Sequence, residues 1–273
     1  MDDGVTAAQL PKIMGVLNVT PDSFSDGGMY ATLCAAVSRG CEMVDFGAYC
    51  IDVGGESTRP GSSPVPPEEE RDRVVPVIEA LVAARPAVTV SVDTSKTHVA
   101  AAAIDAGASI VNDVKAGHDL GMLELCAEAG VTVCLMHMKG TPLTMQDNTE
   151  YEDIVEDVYR FLSLRVEAAV NCGIDIEHIF VDPGIGFGKS LLDNLILIAA
   201  VDRFRNTGAK VLIGASRKRF IGHITGELEA EKRIYGSVGA ALAAAHNGAD
   251  MLRVHDVKAT MDALRVFQGA ISR

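Results

Sequence analysis

The sequence predicts a (β/α)8 barrel, and three observations carry that reading. Eight short apolar runs each end in a polar residue, and each is followed by a loop and a helix-compatible segment. Barrels of this class take their active groups from the ends of several strands and from the loops after them. The 273 residues match the ~250 typical of one such barrel. Hydrophobic residues make up 48% of the chain, enough for a large core, so residues 1–273 are read as one α/β domain.

The first strand runs from Lys12 to Asn18. The loop after it, Val19 to Gly28, is rich in Pro, Asp, Ser and Gly and is expected to be mobile. Asp22 and Asp26 in this loop can approach a metal ion or a cationic centre, and Phe24 is an apolar residue set among polar ones, suited to capping an aromatic ligand. A helix is expected over Ala31 to Phe46, with Gly47 as its C-cap. The second strand ends at Asp52 and opens into a long loop whose centre is Thr58-Arg59-Pro60, with Arg59 the candidate anion binder. Glu68 to Glu70 are expected to form an exposed first helical turn, where carboxylates suit the helix dipole.

The third strand ends in Asp93, which reads either as a site carboxylate or as the N-cap of the helix that follows. Asn112 and Asp113 end the fourth, where an amide offers both a donor and an acceptor to a heterocycle edge. His137 ends the fifth and is expected to be a hydrogen-bonded structural residue, because no second His or Cys stands at ligand spacing. A long helix of alternating charge is expected from about Tyr151 to Asn171.

The sixth strand, Ile179-Phe180-Val181, ends in Asp182, an expensive residue for a core and a useful one at the open end of a barrel. Pro183 occupies the place where a phosphate-binding Walker loop needs glycine, so Gly188-Lys189-Ser190 is not such a loop. The seventh strand runs into Ser216-Arg217-Lys218-Arg219. The eighth ends in Arg253-Val254-His255, and alternation points Arg253 and His255 to the same side. Lys218, Arg253 and His255, with Arg59 and Arg217 nearby, make a basic cluster in the usual phosphate region of such barrels.

The formal net charge of −13 argues against nonspecific binding to nucleic acid, and it requires that cluster for any anionic substrate. No apolar run is long enough to span a membrane, and the acidic N-terminus lacks the pattern of a signal peptide. The six cysteines form no C-x-x-C pair and are read as thiols in a reducing cytoplasm. From the residues alone, the barrel binds a phosphorylated or pyrophosphorylated small molecule over a floor of Asp182, Asn112 and Asp93, suited to a donor-rich heterocycle.

The ordered set IMGVLNVTPDSFSDGG, DVGGESTRPG, SVDTSK, IVNDV, MHMKGTP, DPGIGFGK, GASRKRFIG and RVHDV, spanning Ile13 to about Val257, resembles the motif set of the dihydropteroate synthases, pterin-binding TIM-barrel enzymes. The resemblance implies condensation of 6-hydroxymethyl-7,8-dihydropterin pyrophosphate with 4-aminobenzoate, giving dihydropteroate and pyrophosphate with help from Mg2+. It implies that Asp93, Asn112, Asp182 and Lys218 bind the pterin, with Asp93, Asp182 and Lys218 catalytic. It implies that Asn18, Arg253 and His255 serve the pyrophosphate, with Asn18 and also Asp26 toward magnesium. Phe24, Thr58, Arg59, Pro60, Ser216 and Arg219 fall to 4-aminobenzoate, sulfonamides to the same place, and the assembly to a homodimer. Arg219 departs from the serine that many members carry after the Arg-Lys pair. Two related readings are a corrinoid-dependent methyltetrahydrofolate methyltransferase, which does not need the two substrate loops, and a non-catalytic pterin-binding paralogue, in which the phosphate cluster would be broken.

Overall fold

In a parallel barrel, alternate residues of each strand face the interior and the others face the helices, so a strand must be apolar on both sides. That is the composition of the eight runs, and in the computed structural model they form one closed barrel in sequence order. The structure describes residues 10–20, 28–59 and 61–271, with the side chains of 28–32 set aside. β1 (Lys12–Asn18) leads to α1 (Gly28–Asp45), β2 (Cys50–Gly54) to α2 (Pro67–Ala84), and β3 (Thr89–Asp93) to α3 (Thr97–Asp105). β4 (Ile110–Asp113) leads to α4 (Met122–Ala129), and β5 (Thr132–Met136) to α5 (Ile154–Asn171). β6 (Ile179–Asp182) leads to α6 (Leu191–Ala199) and α7 (Val201–Arg205). β7 (Lys210–Ile213) leads to α8 (Arg219–Thr225) and α9 (Ile234–His246), and β8 (Met251–Val254) to α10 (Val257–Ile271).

Two apolar layers result. Outward strand residues such as Leu17, Val53, Val92, Leu135, Val181 and Ile213 pack with the helices into the main core. Met14, Cys50, Ile110, Cys134, Phe180, Leu212 and Met251 form a separate plug inside the barrel. The plug matters for function because it closes the bottom. Whatever lies one step further along each strand must face the mouth. Strand pairing then sets Asn18, Gly54, Asp93 and Asn112 side by side across β1 to β4, with Asp182 at the end of β6.

The structure decides several expectations. Asp93 is not a helix cap, because α3 starts at Thr97 with Lys96 in the cap position. Asp52 lies inside β2 rather than at its end. The helix expected from about Tyr151 starts at Ile154, where the Asp153 carboxylate accepts the Val155 and Glu156 N–H groups. Glu70, expected on an exposed turn with Glu68 and Glu69, is only 1% exposed. It is buried because the Lys96 ammonium comes to it from β3's far end, a pairing that helical position cannot foretell. Cys50 and Cys134 are buried, as their apolar surroundings implied.

α1 and α2 approach closely at Gly40, where an added Cβ would stand 2.5 Å from Leu81 Cδ2. Leu81→Ala is expected to cost about 2–5 kcal/mol by opening a cavity, and Gly40→Ala alone to destabilise by crowding. Urea unfolding of both variants and of the double variant checks this: the double should recover part of the loss, and strict additivity would refute the contact.

Candidate functional site

The floor is organised by Arg253. Its place on β8 points it into the barrel above the plug, where Nε donates to Asp52 Oδ2 at 2.6 Å and Nη2 donates to Asp93 Oδ2 at 2.6 Å. Asn112 Nδ2 donates to the same Asp52 oxygen at 3.0 Å. Asp52 is fully buried, and its other oxygen has no hydrogen-bond partner among the described residues. Burial opposes the charge on Arg253, yet Asp52 and Asp93 outweigh it and hold the guanidinium firmly protonated. Burial pushes Asp93 up to about 7 against the pull of Arg253, with Asp52 adding to the rise. One cation shared by two carboxylates leaves the floor acidic and close to its protonation point.

The next wall is built by the glycine-rich segment after β6. Asp182 Oδ1 accepts from the Gly184 N–H at 2.7 Å. Its Oδ2 faces Gly214, 3.8 Å from where a Cβ would stand there. Gly184 has φ +72, and a Cβ on it would fall 1.9 Å from the His137 carbonyl oxygen, so a glycine is obligatory. Lys218 lays its stem across Gly186, its Nζ 3.9 Å from the centroid of the Phe187 ring. Burial lowers the Lys218 amine to about 8, Arg253 adding to the fall and Asp182 and Asp93 opposing it. Burial also raises Asp182, against the Gly184 hydrogen bond and the charge of Lys218.

This wall also holds a buried contact between His137 and Lys189, two residues that the sequence reading named separately and did not pair. Lys189 Nζ donates to the Phe187 carbonyl at 2.9 Å and to the His137 carbonyl at 3.3 Å, and it meets His137 Nδ1 at 3.0 Å. Burial brings Lys189 down to about 7. Burial, with Lys189 alongside, brings His137 down to about 3. His137 is thus the hydrogen-bonded structural residue expected, tying the β5 and β6 loops together.

The rim is cationic. His255 Nδ1 lies 3.0 Å from Ser216 Oγ, which also accepts the His255 N–H at 3.2 Å. Burial, then Arg253, Arg217, Lys218 and Arg59, hold His255 down at about 3. Arg217, expected near the anion cluster, is there but spends its side chain on Asp256, at 3.1 and 2.7 Å. Its φ of +59 is left-handed. Ser237 Oγ accepts its N–H at 2.8 Å and Arg233 donates to its carbonyl at 3.0 Å, which together hold the turn between Ser216 and Lys218. Arg59 and Arg219 are exposed and have no ion pair with a described residue.

One cavity of about 970 Å3 joins floor, wall and rim, lined among others by Asn18, Thr58, Arg59, Asp93, Ser216, Lys218, Arg219, Arg253 and His255. Asn112 and Asp182 adjoin it through the lining residues Asp93, paired with Asn112 across β3 and β4, and Gly214, against which Asp182 Oδ2 lies. Such a volume takes more than one small ring. Phe24, Asp22, Asp26 and Pro60 lie outside the described residues. Asn18 is set beside Asp93 by Gly54, where a Cβ would stand 3.6 Å from Asn18 Oδ1 and 3.5 Å from Asp93 Cβ. Asp52 and Lys189 are the functional residues that sequence reasoning missed. A signal existed for Asp52, which shares its strand face with Cys50 and Gly54. None existed for Lys189, whose His137 partner comes from another strand's loop.

The chain matches the family described as "Pterin binding enzyme" over residues 14–255. It is 46% identical to the dihydropteroate synthase of Escherichia coli K12 over 262 residues, 96% of this chain and 92% of that protein. Its fold superposes on the Xanthomonas albilineans dihydropteroate synthase with 4-aminobenzoic acid at TM-score 0.91 and 50% identity, covering 97% of this chain and 95% of that one. It superposes on the Yersinia pestis dihydropteroate synthase with a sulfonamide drug at TM-score 0.90 and 44% identity, covering 97% and 95%.

Arg253→Met removes the shared cation and leaves Asp52 and Asp93 buried together, which is expected to cost about 3–5 kcal/mol at neutral pH. Asp93, already raised by burial, would then lose the pull of Arg253 and rise further above its unfolded value, so stability is retained below the unfolded pKa and lost as pH rises through the folded one. Urea unfolding at mildly acidic and mildly basic pH should show the deficit shrink toward acid. An equal deficit at both would mean that Arg253 acts through packing alone.

Proposed function

The chain belongs to the pterin-binding enzyme family and carries the dihydropteroate synthase activity of its relatives, and from that premise we propose which residues do which part of the work. The arylamine nitrogen of 4-aminobenzoate uses its lone pair to form a bond to the methylene carbon of the dihydropterin pyrophosphate. The carbon–oxygen bond breaks with its electrons going to pyrophosphate, and the amine proton is lost afterwards. Positive charge therefore develops on the pterin side and negative charge on the leaving group. The observation that carries the assignment is the meeting of opposite charges in one cavity, where the Asp93 carboxylate lies against Arg253 on the floor and Lys218 and His255 stand over it.

For the pterin, Asp182 keeps Oδ2 clear of its Gly184 bond and accepts from the ring's N–H edge. Asn112 gives Nδ2 to Asp52 and so presents its carbonyl oxygen to the ligand. Asp93 and Lys218 complete the ring contacts, and the two carboxylates stabilise the developing cation. For the leaving group, Arg253 retains the Nη1 donors that neither carboxylate uses. His255 waits neutral among cations and gains a proton when an anion offsets them. Thr58, Arg59, Ser216 and Arg219 receive the arylamine and its carboxylate. Sulfonamides compete there, as the drug-bound Yersinia relative supports.

The Asn18 carbonyl is a hard oxygen ligand that lines the cavity near Asp93 and fits Mg2+. The described residues contain no cluster of three or more His, Cys, Asp or Glu able to hold a metal. This donor set suits an ion that keeps waters and takes phosphate oxygens. Bound there, magnesium would neutralise charge on pyrophosphate as it departs.

α9 and α10 lie side by side and expose the uncharged residues Tyr235, Gly239, Ala243, Val266, Ala270 and Ile271, which supports a two-fold homodimer through these helices. All six thiols are unpaired, which supports a reducing cytoplasm. No helix among the described residues is long and apolar enough to cross a membrane.

Purified protein given both substrates and Mg2+ should yield dihydropteroate by chromatography, and kcat/KM for the pterin pyrophosphate should fall as pH rises through about 8, where Lys218 loses its proton. Lys218→Arg should move that fall to higher pH; a limb that does not move excludes Lys218 as its origin. In light scattering the protein should show twice the chain mass, and Ala243→Arg should halve it. A variant that stays dimeric would place the interface elsewhere.

A further inference from the structure

Lys96 lies three residues beyond Asp93 and does not line the cavity. Its ammonium has three protons to give, and each has a taker. Nζ donates to the Val65 carbonyl at 2.7 Å and to the carboxylates of Glu56 and Glu70. Glu56 directly follows the Gly54-Gly55 exit of β2, Val65 stands just before α2, and Glu70 belongs to the first turn of α2. One cation thus fastens both feet of the segment that carries Ser57, Thr58 and Arg59 along the cavity.

The fastening is built into the surroundings. The Thr94 hydroxyl accepts the Lys96 N–H at 3.3 Å, which fixes the backbone from which Lys96 reaches Glu70. Gly55 allows the chain to cross α2, since a Cβ there would stand 2.9 Å from Val74 Cγ1 and 3.0 Å from the Glu70 carbonyl. Arg73 Nη1 donates to the Gly55 carbonyl at 2.7 Å. Lys96 is 19% exposed and Glu70 1%, so the ion pair is shielded from the solvent that makes surface pairs weak.

We propose that Lys96 is a positioning residue for the arylamine. By tying the two feet of the β2–α2 segment to the strand end that bears Asp93, it sets the distance between the arylamine's contacts and the pterin floor. This rests on the functional assignment above and extends it to a residue that touches neither substrate. Attack by a weak neutral nucleophile depends strongly on that distance, so loosening the feet should harm arylamine use and leave pterin binding alone.

Three variants test the proposal by steady-state kinetics, with calorimetric titration of the pterin pyrophosphate. Glu56→Gln releases one foot while keeping the buried Lys96–Glu70 pair. Lys96→Met releases both feet. Lys96→Met with Glu70→Met does the same without stranding a buried carboxylate, so it keeps the test sound if the single variant does not fold. In the double variant the 4-aminobenzoate KM is expected to rise roughly 10- to 100-fold. Glu56→Gln should show a smaller rise, and pterin affinity should stay at the wild-type value in both. Parallel weakening of both substrates, or a wild-type arylamine KM in the double variant, overturns the positioning role. A wild-type protein that makes no dihydropteroate overturns the functional assignment and this proposal with it.

Discussion

Arg253 reaches across the barrel mouth to hold Asp52 through one nitrogen and Asp93 through another, and much of the site follows from that bridge. Asp52 in turn receives Asn112. Four strands, β2, β3, β4 and β8, therefore meet at two oxygens and one guanidinium. The arrangement is costly as a stabilising device, since two carboxylates are buried for one cation. It is effective as a preorganised dipole, because the charges are already in place when a ligand arrives and need not reorganise during reaction. The plug of Met14, Cys50, Ile110 and their neighbours beneath it shuts out water from below and strengthens each of these interactions.

The second half of the site is held from behind. Lys189 ties the Phe187 and His137 carbonyls, Phe187 supports the Lys218 ammonium, and Arg233 and Ser237 fix the left-handed turn at Arg217. Each cavity group thus rests on a neighbour that fixes it, which is how side chains on loops acquire the precision of side chains on strands.

Much of this was legible in the sequence because strand ends are local. The eight apolar runs and their terminal polar residues gave the barrel, and β1 runs from Lys12 to Asn18 as read. Asp93, Lys218, Arg253 and His255 line one cavity, with Asn112 and Asp182 at the ends of β4 and β6, because the closed barrel brings all strand ends together. What could not be read were pairings between distant segments. Glu70 looked like one of three solvated carboxylates until Lys96, 26 positions on, was found against it. Arg217 looked like a free cation, whereas Asp256, 39 positions on, occupies it. Helical position and composition describe a residue's neighbours in the chain, and these residues are defined by neighbours in space.

Gly184 carries one more consequence. Its α-hydrogen points at the His137 carbonyl, with no room for even a methyl group, and the same peptide anchors Asp182. A point change in this codon cannot be absorbed by a neighbouring rotamer, because the obstacle is main chain. Natural selection is therefore denied this one position beside the cavity wall as raw material. Inhibitors that lean on this wall press on a surface the gene has little freedom to revise, whereas those that lean on exposed Arg59 or Arg219 meet side chains that can be exchanged at small cost to the fold.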